Sequence, residues 1–182
     1  NNAGIGQPQS PFWELEPDLI QDLIQVNTIG AMYGAQVALT GFLEQGRGAF
    51  YNMEGLGSDG RRVDGLTLYG TSKRALNYLT DSLAAEVKGT DIIVGAISPG
   101  MVLTDFILKR YEDRPAEDWE SARRIFNILA DHVETVTPYL AEEVLKNKKN
   151  GARIRWLTPP KVLWRFLTAG ILKRDLLKDF DL

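Results

Sequence analysis

Tyr69 and Lys73 stand four residues apart in YGTSK, near the start of a helical pattern. That spacing stacks both side chains on one helix face, one turn apart. An ammonium beside a phenol favours the phenolate, and a tyrosine so placed can exchange a proton with a substrate oxygen near neutral pH. The same pair also suits an ordinary helix surface, so the surrounding signals decide. Three lie in order along the chain: NNAG at 1–4, VNTIG with Asn27, and SPGMVLT at 98–104. Other chemistries have little to build on. The chain has no cysteine, which removes thiolate metal sites, disulfides and a thiol nucleophile. Its lone histidine, His132, is poor ground for a His-based zinc site or a Ser-His-Asp triad.

These residues need elements to hold them. EPDLIQDLIQVNTIGAMYGAQVAL carries Leu19, Leu23, Val26, Gly30, Tyr33 and Val37 at helical spacing. Pro17 suits its first turn, and Gly41 or Gly46 its end. A short buried strand is predicted over 49–53. LYGTSKRALNYLTDSLAAEVKGT reads as a long amphipathic helix stopped by Gly89. DIIVGAISPG is an apolar run ended by Pro-Gly, a second buried strand. PAEDWESARRIFNILAD and VETVTPYLAEEVLKNKK read as helices, ARIRWLTPP as a third strand, and KVLWRFLTAGILKRDLL as a last helix. This α/β alternation, in one domain over 1–182, builds a parallel sheet covered on both faces. A net charge of −3 and a pI near 5.3 argue against a nucleic-acid partner. No basic-then-apolar leader opens the sequence, and no apolar run approaches the roughly 18 residues of a membrane span.

With its four signals in this order, the chain resembles the short-chain dehydrogenase/reductases over essentially its whole length. The resemblance implies a Rossmann-like, doubly wound parallel sheet and a nicotinamide cofactor, here NADPH. It implies that Tyr69 is the catalytic acid/base and that Lys73 holds the nicotinamide ribose and lowers the tyrosine pKa. It gives Asn27 the positioning of a water in the proton relay. Pro99 and Gly100 match the turn beside the nicotinamide, and Thr104 a cofactor contact. Asn1, Asn2, Ala3 and Gly4 match the turn beside the adenosine end. Two departures stand out. No glycine-rich pyrophosphate loop follows a strand anywhere in the sequence; GLGSDG opens no clear helix. The expectation is that the first strands and that loop lie before Asn1, and that the sequence as written binds the cofactor poorly. The family's catalytic serine is also displaced. Glu54 or Gly55 stands in its place, and Ser58 follows a few residues later, as a replacement hydroxyl or as an ordinary turn serine.

NMEGLGSDGR before YGTSKRAL, with SPGMVLTD and WLTPPKVLWRFLTAG, resembles the chlorophyll(ide) b reductase branch. That resemblance implies reduction of the 7-formyl group of chlorophyll b to hydroxymethyl. A large, flat, greasy substrate would meet the segment with Phe106, Ile107, Leu108, Tyr111, Trp119 and Phe126, as a lid; plain core packing is the other reading, above all for Phe126 and Ile128. Trp156, Trp164 and Phe166, with Lys161, Arg165, Lys173 and Arg174 around them, could rest on a thylakoid surface or pack on the sheet or a partner. His132 reads as a loop or helix-end residue, and Gly60, Arg61 and Arg62 as a solvated loop. The implied setting is a chloroplast stroma or thylakoid surface, or the same surface in a cyanobacterium. The implied assembly is a homo-oligomer or a subunit of a photosynthetic complex. Two other readings remain open: a generic alcohol dehydrogenase or ketoreductase, and a degenerate, non-catalytic fragment serving as a binding or assembly subunit.

Overall fold

The structure is a computed structural model that describes residues 1–104 and 116–178. The first helical pattern folds as α1 (Pro17–Ile24), a π-helical turn (Gln25–Ile29) and α2 (Gly30–Gln45) in immediate succession. Pro17 opens α1, and Gly46 closes α2 in the left-handed conformation (φ 76°). The chain continues through β1 (Arg47–Met53), α3 (Thr67–Glu86), β2 (Asp91–Ser98) and β3 (Met101–Leu103). Then come α4 (Ala116–Leu129), β4 (Ala130–His132), α5 (Val133–Lys146), β5 (Arg153–Arg155) and α6 (Pro159–Thr168). The described strands form a three-stranded sheet in the order β1-β2-β5 and a separate β3-β4 pair. β1 and β2 run parallel, with Arg47 opposite Asp91 and Met53 opposite Ile97. The fold is therefore the α/β, parallel-sheet class that the sequence implies.

The chain divides into two compact units. One comprises Asn1–Ser98 and Lys146–Ile154; the other comprises Pro99–Leu145 and Arg155–Leu182. In the first, Phe50 of β1 and Ile92 and Val94 of β2 face Ala35 and Leu39 of α2 and Ala84 and Val87 near the end of α3. Phe50 lies opposite Val94 in register, so one row of side chains forms the floor of this core. The segment before β5 is stitched to the sheet by asparagines. Asn150 accepts the Val94 N–H and donates to the Ala84 carbonyl, and Asn147 donates to the Tyr51 hydroxyl. In the second unit, Leu103, Phe126, Ala130 and Leu177 make the core, with Trp119 packed against it.

The structure departs from the sequence expectations in three places. β3 and β4 pair in parallel where no strands were expected, and Ala130 and Asp131 belong to β4 rather than to the end of a helix. Three-residue strands carry no alternation to read, and only their pairing defines them. The third strand shrinks to Arg153–Arg155. The last helix ends at Thr168, where the Ile171 and Leu172 N–H groups both turn back to the Thr168 carbonyl. Of the residues read as a lid, Phe106, Ile107, Leu108 and Tyr111 lie outside the described residues. Phe126 is a core residue, 6.1 Å from the Trp119 ring. His132 closes β4. No helix among the described residues is long and apolar enough to cross a membrane.

Gly48 marks the tightest packing in this sheet. A Cβ there would lie 2.1 Å from the Phe42 ring, so the aromatic side chain sits directly over the bare backbone of β1. Gly48→Ala is expected to lower stability by about 1–3 kcal/mol through overpacking, read as a fall in thermal midpoint at unchanged far-UV circular dichroism.

Candidate active site

Tyr69 sits in the first turn of α3 and Lys73 one turn further, as their spacing predicts, and both are buried. The Lys73 ammonium lies 5.7 Å from the centre of the Tyr69 ring. It donates to the Met53 carbonyl at the end of β1 (3.3 Å), its one hydrogen bond among the described residues. Two of its three N–H donors therefore have no acceptor among the described residues. Burial pushes the Lys73 pKa below the ordinary lysine value.

Asn27 lies in the π-helical turn and is fully buried. One extra residue per turn is a frequent device where a helix must aim a group at a site. The Asn27 amide clamps Ile5 on both sides: its Oδ1 accepts the Ile5 N–H (2.7 Å) and its Nδ2 donates to the Ile5 carbonyl (2.9 Å). The same Nδ2 donates to the Ser72 hydroxyl (3.2 Å), which in turn donates to the Tyr69 carbonyl (2.8 Å). Gly4 is drawn in by this clamp. A Cβ there would stand 3.2 Å from Asn27 Oδ1 and 3.8 Å from Lys73 Nζ. The structure thus brings Gly4, Asn27, Tyr69 and Lys73 together. Asn2 and Ala3 are exposed on the same turn, while Asn1 pairs its backbone with Tyr51 and Met53 of β1.

The displaced serine resolves into two residues with different tasks. Gly55 lies against the Tyr69–Lys73 pair: a Cβ there would be 2.8 Å from the Tyr69 hydroxyl and 3.3 Å from Lys73 Cε. Ser58 is buried, and its hydroxyl accepts the Gly55 N–H (3.0 Å) while its carbonyl accepts from Arg74 (2.9 Å). These bonds make Ser58 the fastener of the turn that carries Gly55. Glu54 points elsewhere. Its carboxylate accepts from Asn77 (3.0 Å) and Arg153 (3.2 Å) and is buried. Pro99, Gly100 and Thr104 belong to the other unit; there Gly100 is left-handed (φ 74°), and a Cβ on it would strike Leu157 at 2.6 Å.

Gln7 is a site residue that sequence reasoning missed. Its Oε1 accepts the Tyr69 N–H (2.6 Å), one of the donors a helix start leaves unpaired, and its Nε2 donates to the Gly65 carbonyl (2.7 Å). Gln7 therefore fixes the start of α3 just where Tyr69 emerges. No spacing rule marks a glutamine in a glycine- and proline-rich loop.

A short chain dehydrogenase family model matches residues 1–115, and the chain belongs to that family. It is 32% identical over 167 residues to a chloroplastic chlorophyll(ide) b reductase of Arabidopsis thaliana, covering 87% of this chain and 46% of that protein. It is 36% identical over 107 residues to a 3alpha-hydroxysteroid dehydrogenase of Mediterraneibacter gnavus, covering 59% of this chain and 42% of that one. Among solved structures it is similar in fold to a serine dehydrogenase complexed with NADP+, with a TM-score of 0.70 at 22% identity over 84% of this chain and 61% of that one. The chain spans about half the length of these curated relatives.

Two results follow for this cluster. Lys73 binds fewer protons in the folded protein than in the unfolded chain between its depressed pKa and the ordinary value near 10.4, so its contribution to stability rises with pH across that window. The difference in thermal midpoint between the unsubstituted chain and Lys73→Met should vary with pH over that window, with the variant more stable at neutral pH. Gln7→Ala should cost about 1 kcal/mol in denaturant unfolding, as loss of a helix cap does, because the Tyr69 N–H loses its acceptor.

Proposed function

We propose that this chain supplies the proton-donating, substrate-facing part of an NADPH-dependent carbonyl reductase whose substrate is the formyl group of chlorophyll(ide) b. The observation that carries the reading is the buried convergence of Tyr69, Lys73 and Asn27 beside the turn at residues 1–4. The likeness to chlorophyll(ide) b reductase supports the substrate, and that relative's chloroplast origin supports a chloroplast or cyanobacterial setting. The donor set fits the ribose of a nicotinamide cofactor, since Lys73 offers two unspent N–H donors in a buried setting. When bound, such a cofactor supplies hydride to the carbonyl carbon. Tyr69 gives its phenolic proton to the carbonyl oxygen. Lys73 stabilises the phenolate left behind by its positive charge. Asn27 spends its amide on Ile5 and Ser72, and so holds the turn and α3 in register around the reacting oxygen. Gly55, bare of a side chain, lets the backbone after β1 approach the Tyr69 hydroxyl closely, where a Cβ would stand 2.8 Å from it.

A second reading is a ketoreductase acting on a fused-ring alcohol or ketone, favoured by the identity to the hydroxysteroid dehydrogenase over the first part of the chain. NADPH oxidation by the full-length protein, with chlorophyll b and with a 3-ketosteroid offered separately, divides the two. Turnover of the steroid alone would overturn the pigment reading. Tyr69→Phe should lower turnover about 10²–10⁴-fold with folding intact, the usual worth of a positioned acid. Activity that survives this change would sink both enzyme readings. Gly55→Ala should displace the Tyr69 hydroxyl and lower kcat by about 10²-fold at a similar thermal midpoint.

A further inference from the structure

Residues 154–174 contain Arg155, Lys161, Arg165, Lys173 and Arg174 and not one acidic residue, in a chain whose net charge is −3. Within this stretch α6 and the turn after it leave Leu163, Trp164, Leu167, Ile171 and Leu172 between 57% and 83% exposed. Leu163, Trp164 and Leu167, three and four residues apart, share one face of α6, and Ile171 and Leu172 follow in the turn after it. A monomeric soluble surface rarely carries so many large apolar side chains together without a purpose.

Beside this stripe lies a cavity of about 580 Å³ with Trp164 and Leu172 on its wall. Four cations line it, Arg124, Arg165, Lys173 and Arg174, against one carboxylate, Asp131. That carboxylate is already fully engaged. Its Oδ2 accepts from Arg165 (2.7 Å) and the Trp156 indole (2.6 Å), and its Oδ1 accepts from Arg174 (2.7 Å). Arg165 and Arg174 are further anchored on the carbonyls of Leu129, Ile128 and Ala130. Asp131 and these carbonyls hold the two guanidinium groups rigidly without neutralising the cavity. Arg124 and Lys173 have no carboxylate partner among the described residues.

We propose that α6 and the turn that follows it form a peripheral membrane-contact face, with the apolar stripe in the interface and an anionic lipid headgroup in the basic cavity. An interfacial helix needs this combination: large apolar residues including a tryptophan on one side, and lysine and arginine at its rim. α6 has ten residues, too few to cross a bilayer, so the proposed contact is made along its face. The shared ligand chemistry is a phosphate-type anion, and the apolar stripe selects the lipid over a free anion. The inference does not depend on the reductase reading.

The test is cosedimentation of the full-length protein with phosphatidylglycerol and with phosphatidylcholine vesicles, at low and at high salt. Binding to the anionic vesicles is expected to exceed binding to the neutral ones by about tenfold or more and to weaken with salt. Tryptophan emission should shift to shorter wavelength on binding, and Trp164→Phe should reduce that shift. Leu163→Glu with Leu167→Glu, both at exposed positions, should abolish vesicle binding without changing circular dichroism. Arg124→Glu with Lys173→Glu should remove the preference for anionic lipid. Equal binding to both vesicle types overturns the headgroup site. Binding that survives the leucine changes, or that glycerol phosphate fully displaces, assigns the cavity to a free anion and overturns the proposal. Absence of vesicle binding overturns it too. If light scattering then shows an oligomer that the leucine changes dissociate, the face belongs to a second copy of the chain.

Discussion

One carboxamide governs the first unit of this molecule. Asn27 makes two bonds to Ile5 as a neighbouring strand would, accepting the N–H and donating to the carbonyl of a loop residue. The bond from Asn27 to Ser72, and from Ser72 to the Tyr69 carbonyl, carries that constraint into α3. Buried polar networks of this kind are rigid when every member is satisfied and costly when one is removed. The loop, the π-helical turn and the start of α3 therefore hold one relative position. The hydroxyl of Tyr69 and the ammonium of Lys73 inherit their geometry from it.

The legible part of the site was the part written in helical spacing. Tyr69 and Lys73 need only a regular helix to meet, and the regular helix formed. Strand identity was legible for β1 and β2, because long apolar runs between turn residues mean burial. What escaped was set by partners distant in sequence. VNTI contains neither glycine nor proline, so nothing local announces the π-helical turn. Gln7 acquires its role from a backbone N–H 62 positions away. Between Glu54 and Gly55, the sequence offered no means of choosing which faces Tyr69. The choice is made by Arg153, which draws the Glu54 carboxylate to itself from 99 residues further along. The displaced hydroxyl at Ser58 was visible as a residue, but its bond to the Gly55 N–H depends on the shape of the turn.

Lys73 and Asp131 are two buried charges held in opposite ways. Lys73 is buried with a single carbonyl for company, and its depressed pKa records the desolvation that results. Asp131 is buried among two guanidinium groups and an indole N–H, so its charge is compensated from every side. The first arrangement leaves donors in reserve for something else to use. The second uses its acid to hold cations in place.

The first unit is interrupted in sequence: Pro99–Leu145 intervenes between β2 and the segment that completes it. During synthesis, β2 leaves the ribosome well before Asn150 and Ala152, whose groups pair with Val94 and Ala96. At elongation rates of about 5–20 residues per second, this edge waits for some seconds without its final partners. Val94 and Ile92 are among the most deeply buried residues of the finished protein, and in that interval they belong to an unfinished sheet. The nascent chain thus has a defined window of vulnerability to association with other chains or capture by chaperones. That window closes only when a short, asparagine-bearing turn arrives from downstream.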